Sequence, residues 1–371
     1  MKPNHLFKKL FAVSVAAGIS ISLIGCGSAP IKSITFRGDN HHSGVYETKG
    51  VAKLNKLKWK FKAEHAVNSS PIVVDEVAYV GSHDGNVYAI DAKSGQSKWT
   101  FKTASKVGAS PTIYAKTLYI GSDDGNIYAL DKDSGAELWR FATSGSIYSA
   151  ATFFKSTLFI TSTDGHLYAI NTESVTESWR FKSEGAIYSS PALHHGMIYF
   201  GSHDGNLYAI DAETGQEKWR FKTNGAIFSS PAVHGDNIYV GSEDGTLYAI
   251  NSHTGQESWK ALALAAISTS PAVTDTHVFF GSQDGRLYAV DSKTGEVIWK
   301  YKTHDWVSSS PAVNNGLVYF ASYDKHLYVV DIETGKRQWK FRTDGRIYSS
   351  PFIDNGTVYF GSFDNHLYAI E

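Results

Sequence analysis

Eight tryptophans recur every forty residues without a slip, at Trp59, Trp99, Trp139, Trp179, Trp219, Trp259, Trp299 and Trp339. A fixed period of this size marks a repeat architecture, in which each unit buries its apolar face only against its neighbours and the number of units sets the shape. The period runs through the 371 residues to the last, so one repeat domain is expected over residues 58–371, with no room for a second. A ninth tryptophan, Trp306, stands off the register and needs another explanation.

One unit runs from Trp219 through Ser230-Pro231, Asn237 to Gly241, Asp244-Gly245, Leu247 to Asn251 and Thr254-Gly255 to Trp259. Its four runs rich in β-branched and aromatic residues are too short for helices and are divided by Asp-Gly and Thr-Gly turn signals, which predicts a four-stranded antiparallel blade. The Asp-Gly pair is expected to supply the left-handed conformations of a tight hairpin, and the second glycine the positive φ of another turn. The final unit stops three strands in, whereas Lys58 to Lys62 is a lone fourth strand before the first whole unit. The chain is therefore predicted to be all-β, an eight-bladed β-propeller closed into a ring by its N-terminal strand. Lys60, Arg140, Arg180, Arg220, Lys260, Lys300 and Lys340 follow the tryptophans on the outermost strands. They read either as a belt for anions or as charges that keep exposed strand edges from pairing with another chain, and edge protection requires no ligand.

Ala89-x-Asp91-x-x-Ser94-Gly95-x-x-x-Trp99 resembles the tryptophan-docking motif of quinoprotein (PQQ-type) propellers. It recurs at Ala129 to Trp139, Ala209 to Trp219, Ala249 to Trp259 and Ala289 to Trp299, with Asn251 for Asp in one copy. The resemblance covers residues 36–371 and implies that each indole stacks on the peptide plane of the adjacent blade's motif, with the small Ala leaving room. Phe36 to Gly44 resembles the lead-in segment of such propellers and is expected to pack on the ring. In this family the quinoprotein dehydrogenases carry insertions, adjacent cysteines beside the quinone, and Glu, Asn and Asp on calcium. The uniform units here offer no position for a PQQ or calcium ligand, so neither cofactor nor enzymatic activity is expected. Another branch of the family comprises lipoprotein scaffolds of the outer-membrane β-barrel assembly machinery. Resemblance to it implies a non-enzymatic, lipid-anchored scaffold that binds protein partners in the cell envelope. A PQQ-dependent oxidoreductase and a small-ligand or glycan-binding surface propeller are the alternatives.

The N-terminus has the form of a targeting signal: Lys2, Lys8 and Lys9, an apolar stretch from Leu10 to Leu23, then Leu23-Ile24-Gly25-Cys26. This resembles a bacterial lipobox, which implies that residues 1–25 are a signal peptide and that Cys26 is lipidated as the first residue of the mature protein. Residues 26–57 are then linker and lead-in. Gly27 after the cysteine implies the outer membrane, facing the periplasm. An ordinary secretory signal with an incidental cysteine is the alternative. Cys26 is the only cysteine, which rules out an intrachain disulfide and a Cys-based metal site. With 35 Lys and Arg against 36 Asp and Glu, nothing favours nucleic acid as a partner.

Positions common to all units are explained by the fold, so function is sought where the units differ. The Asp-Gly tips and the segments leading into the first strands are expected to share one face, around the mouth of a central funnel. Two residues before each Ser-Pro pair, or before Ala150-Ala151 which replaces it in the third unit, stand Asn68, Gly108, Tyr148, Tyr188, Phe228, Ser268, Ser308 and Tyr348, so one arc is aromatic and the other small and polar. Trp306, Tyr323 and Phe363 are bulky aromatics that the repeat does not require on this face. They read as a partner-binding patch or as plugs over the inner strands, with Tyr148, Tyr188, Phe228 and Tyr348 as the other candidates. The pairs His41-His42 and His194-His195 are expected to diverge on their strands, and no spacing suits a metal. Substituting Cys26→Ser is expected to abolish palmitate incorporation and leave a soluble or uncleaved precursor; normal lipid labelling of that variant would show that the anchor lies elsewhere.

Overall fold

The structure, a computed structural model, describes residues 34–371; the expected signal segment, residues 1–25, and the expected lipidation site Cys26 lie outside them. Eight four-stranded antiparallel sheets follow one another around an axis. The first whole blade is Ile72–Val74, Val77–Gly81, Asn86–Asp91 and Ser97–Lys102, from the axis outward, and the pattern repeats with little change. Third strands are near-continuous apolar runs because both their faces lie between blades: Leu207, Tyr208, Ala209 and Ile210 are all inaccessible to solvent or nearly so.

Blade eight is completed by the start of the domain. Leu57–Lys62 pairs antiparallel with His366–Ile370, setting Trp59 opposite Ala369 and Phe61 opposite Leu367. Blade-to-blade cohesion is carried by the tryptophans. The Trp59 indole N–H donates to the Ala92 carbonyl of the next blade at 3.0 Å, and Trp99, Trp219, Trp259 and Trp299 repeat the bond. Blade eight lacks a continuous turn at this place because the chain is interrupted there, and Trp339 donates instead to Val51 at 2.9 Å. Beneath six of the eight indoles lies a turn glycine: a Cβ on Gly95 would stand 2.7 Å from the Trp59 ring. Trp339, at the interrupted turn, and Trp139 are the exceptions. Val175 occupies the glycine position at φ 55°, and Trp139, which faces it, makes no such hydrogen bond; nor does Trp179.

In each mouth-side hairpin one residue is left-handed, a glycine in six of them, such as Gly85 at φ 82°, and Lys325 and Asn365 at φ 72° in the last two, which corrects the expectation that Asp-Gly would supply two such residues. Asp84 instead acts through its side chain, receiving Asn86 N–H at 2.8 Å, Tyr88 O–H at 2.8 Å and, from the segment entering the blade, Glu64 N–H at 3.0 Å. Burial works to raise this carboxyl, but the hydrogen bonds from Tyr88, Asn86 and Glu64 prevail and hold it below the usual carboxylate range. On the outer strands Arg140 and Arg220 pair with Glu137 and Glu217 and lie over the rings of Tyr128 and Tyr208. The outer cations thus cover aromatic surface of their own blade.

The lead-in closes the axial channel from the side opposite the tips. The short inner strands expose backbone groups toward the axis, and buried groups of this kind require partners. Ile34 N–H and C=O bond Ile113, while the carbonyls of Asn40, His41, Ser43 and Gly44 accept the N–H groups of Leu193, Val233, Val273 and Val313. Arg37 lies in the middle, buried, donating to Pro311 and Pro271 carbonyls at 2.8 and 2.7 Å. Loss of hydration lowers its pKa to about 10. Gly44 is required here, since a Cβ would fall 2.1 Å from the Arg37 Nη2.

His41 is exposed and His42 buried, on a turn and not on a strand, whereas His194 and His195 do not diverge as expected: their rings lie 3.9 Å apart and His41 meets His194 at 5.1 Å. The reason is that His195 has left the strand for a turn at φ 47°. His42 is fully buried, and beyond an interaction with the Pro231 backbone its ring nitrogens find no partner.

Strain at Val175 and burial of His42 can each be tested by substitution. A β-branched residue in the left-handed region costs about 1–2 kcal/mol, so Val175→Gly should raise the melting temperature despite the added freedom of the unfolded chain; a fall in calorimetry would show that the turn is unstrained. Burial, the largest effect on His42, lowers its pKa to about 4, with Arg37 and His41 acting in the same direction and Asp39 opposing. Between the ordinary value near 6.5 and about 4 the unfolded chain binds a proton that the folded chain does not, so stability should fall as pH drops through that window. His42→Asn, which tolerates the residue's φ of 56°, should flatten the dependence of melting temperature on pH between 7 and about 4.5; an unchanged slope would assign the acid sensitivity elsewhere.

Candidate functional site

The mouth face is assembled by backbone hydrogen bonds between each tip and the segment entering its blade, such as His83 N–H to Ala66 C=O at 2.9 Å and Tyr323 N–H to Trp306 C=O at 2.9 Å. Below it is an axial cavity of about 400 Å³ lined by Asn68, Gly108, Tyr148, Tyr188, Phe228, Ser268, Ser308 and Tyr348, by the serines of the Ser-Pro pairs, and by Phe36 of the lead-in. Those serines form a belt. Ser70 N–H donates to Ser110 Oγ, Ser190 to Ser230, Ser230 to Ser270, Ser270 to Ser310, Ser310 to Ser350, and Ser350 back to Ser70, at 2.9 to 3.2 Å. Ala150 N–H donates to Ser190 Oγ, but Ala150 has no hydroxyl for Ser110, so the belt is broken at one place.

Around the rim the aromatic candidates form separate groups. Tyr148 stacks on Tyr188 at 5.3 Å, and Tyr188 meets Phe228 at 5.2 Å and His203 at 4.6 Å. Tyr148 O–H donates to Asp123 Oδ2 at 3.2 Å, while Asp123 Oδ1 is buried without a partner; burial raises this carboxyl above its ordinary value. Farther round, Trp306 stacks on Tyr323 at 5.7 Å, Tyr323 meets Tyr348 at 6.4 Å, and Arg346 lies over the Tyr323 ring. Phe363 turns the other way, to His83 of blade one at 6.2 Å, and so stands apart from Trp306 and Tyr323. Trp306 is 44% exposed, Tyr348 45% and Phe363 40%.

Residues 41–277 match the model of the β-propeller of beta-alanine-activating enzyme, and residues 245–371 match that of the outer membrane protein assembly factor BamB. The first match spans more than half of the chain, which belongs to the family of that β-propeller. The chain is a PQQ-type propeller resembling BamB. Among solved structures, BamB from Moraxella catarrhalis is similar at TM-score 0.73 and 17% identity, covering 85% of this chain and 99% of the other. The computationally designed Ika8 protein is similar at TM-score 0.77 and 17% identity, covering 85% and 99%. Quinohemoprotein alcohol dehydrogenase from Comamonas testosteroni is similar at TM-score 0.80 and 14% identity, covering 91% and 80%. At these identities the structures share a fold and nothing more specific. No curated protein matches the sequence.

Two features of this PQQ-type propeller escape the sequence reading. The serine belt joins residues that lie side by side only once the blades are set around the axis. The second is Leu262 and Leu264, 67% and 78% exposed, which enter the mouth side between blades five and six, where Leu264 N–H bonds Asp284 of the neighbouring tip. A signal for them is present in the chain: Ala261-Leu262-Ala263-Leu264 replaces the Phe-Lys-Thr-Asn seen at Phe221 to Asn224.

Proposed function

We propose that this chain is a non-enzymatic scaffold of the cell envelope, anchored by lipid on Cys26 in the outer membrane and facing the periplasm, that holds protein partners in outer-membrane β-barrel assembly. The observation that carries the reading is where the BamB resemblance falls. The matching residues 245–371 contain Leu262, Leu264, Trp306, Tyr323, Tyr348 and Phe363, the part of the mouth face richest in exposed apolar side chains. Exposed apolar groups of this kind, next to polar tips, have the composition of an association surface.

The enzyme alternative draws on the shared fold of an alcohol dehydrogenase. A quinone polycarboxylate on calcium needs cationic groups for its carboxylates and oxygen ligands bearing negative charge for the metal. The axial cavity is lined by neither cationic nor acidic side chains, and among the described residues no group of three or more His, Cys, Asp or Glu could hold a metal ion. The residues present do not fit that pair, which supports a binding role over redox chemistry.

The test uses the full chain purified from detergent-solubilised envelopes, with co-purifying proteins identified by mass spectrometry. Because hot-spot truncations cost at least about 2 kcal/mol of binding and surface substitutions change stability by under about 0.5 kcal/mol, Trp306→Ala combined with Leu264→Ser should remove β-barrel assembly components while leaving the melting curve nearly unchanged. Retention of those partners per folded molecule with a melting temperature lower by many degrees would make these residues covers of the inner strands.

A further inference from the structure

The cavity of about 400 Å³ falls among the roughly 300–1,000 Å³ sites that take small ligands. Its lining is polar yet carries no Lys, Arg, His, Asp or Glu. Arg37, next to Phe36, has its guanidinium taken up by the Pro271 and Pro311 carbonyls, so an ionised ligand would give up hydration and meet no charged side chain in the lining, and the cavity selects a neutral one.

The serine belt sets the polar half of the recognition. Each belt Oγ accepts an N–H from the neighbouring blade, and none donates its own proton to a protein group among the described residues. A serine hydroxyl has one proton to give and two lone pairs. The belt therefore offers the axis a ring of free O–H donors, held in place by the backbone, each with a lone pair in reserve.

Tyr148 sets the apolar half. One face stacks on Tyr188, its hydroxyl is tied to Asp123, and its far side borders Gly108, which has no side chain to cover it. Tyr148 remains 38% exposed. A flat apolar platform beside a ring of hydroxyls suits a molecule with C–H bonds on its face and hydroxyls around its edge. An inorganic oxyanion could use the donors but would meet the negative faces of the aromatic rings.

We propose that the funnel binds the terminal residue of a neutral saccharide, its face on Tyr148 and its hydroxyls on the serine belt. Phe36 lines the cavity from the lead-in side, where the chain crosses the channel. The sugar therefore enters from the mouth and ends there, so a chain terminus is recognised and not an internal unit.

Three substitutions separate binding from folding. Ala150 already stands in the belt position of blade three, so Ser310→Ala reproduces a change that the fold contains. Gly108 does not need a positive φ and a Cβ at this position would meet Tyr148 only at an ordinary 3.4 Å, so Gly108→Leu should cover the platform without strain. Tyr148→Ala removes the platform. The full chain in detergent is titrated by calorimetry and by saturation-transfer NMR with maltose, cellobiose and diacetylchitobiose, and with myo-inositol, sulfate and choline as controls. Saturable binding of a disaccharide is expected, weakened about tenfold or more by Tyr148→Ala and by Gly108→Leu and about two- to tenfold by Ser310→Ala. Absence of saturable disaccharide binding, tighter binding of sulfate or choline, or disaccharide binding that all three variants leave unchanged would overturn the proposal. Partner co-purification, measured on the same variants, reads the outer rim independently.

Discussion

In six of eight blades an indole is laid over a glycine turn of the next blade, and the rest of the molecule is arranged around that contact. The N–H of the ring reaches a carbonyl 33 residues ahead, while its face needs a turn residue without Cβ 36 residues ahead. Both partners belong to one turn of the neighbouring blade, so a tryptophan constrains the path of the following unit as well as its own. A drift in repeat length would move that turn away from the ring. The constant forty-residue period is the visible result.

The outer circumference is thus held by tryptophan and the inner one by serine. Near the axis the strands are only two or three residues long, too short to be stable through their own ladders. The belt of N–H to Oγ bonds ties them sideways, and the lead-in supplies backbone partners from beneath. Apart from the Arg37 guanidinium, which is engaged by carbonyls beneath, these devices satisfy the inner strands with uncharged groups, and the cavity above is lined by polar but neutral side chains. The rim is free of such duties, and its residues differ from blade to blade.

Much of this is legible in the sequence because it depends on spacing. Trp, Asp-Gly and Thr-Gly at fixed offsets define strands and turns, and a lone Trp59 strand facing a three-stranded final unit defines the closure. Contacts across the axis are not legible. Arg37 binds carbonyls of Pro271 and Pro311, more than two hundred residues away, and no local pattern announces it. The pairing of His194 with His195 escapes a strand pattern because one φ value makes a strand position into a turn position. Phe363 groups with Trp306 by its place in the repeat, but its side chain rotates toward blade one. At the rim, repeat comparison locates the variable positions while side-chain direction decides which of them meet.

The lead-in has a consequence for the order in which the molecule can assemble. Residues 34–49 come first along the chain, yet their partners are spread from Ile113 to Gly356. Blades one to seven can form from local contacts, but this segment has nowhere complete to bind until nearly all of them stand in a ring. Long-range pairing of this kind is slow. The N-terminal stretch therefore becomes ordered late although it is made early, and its accessibility to a protease during folding reports whether the circle has closed.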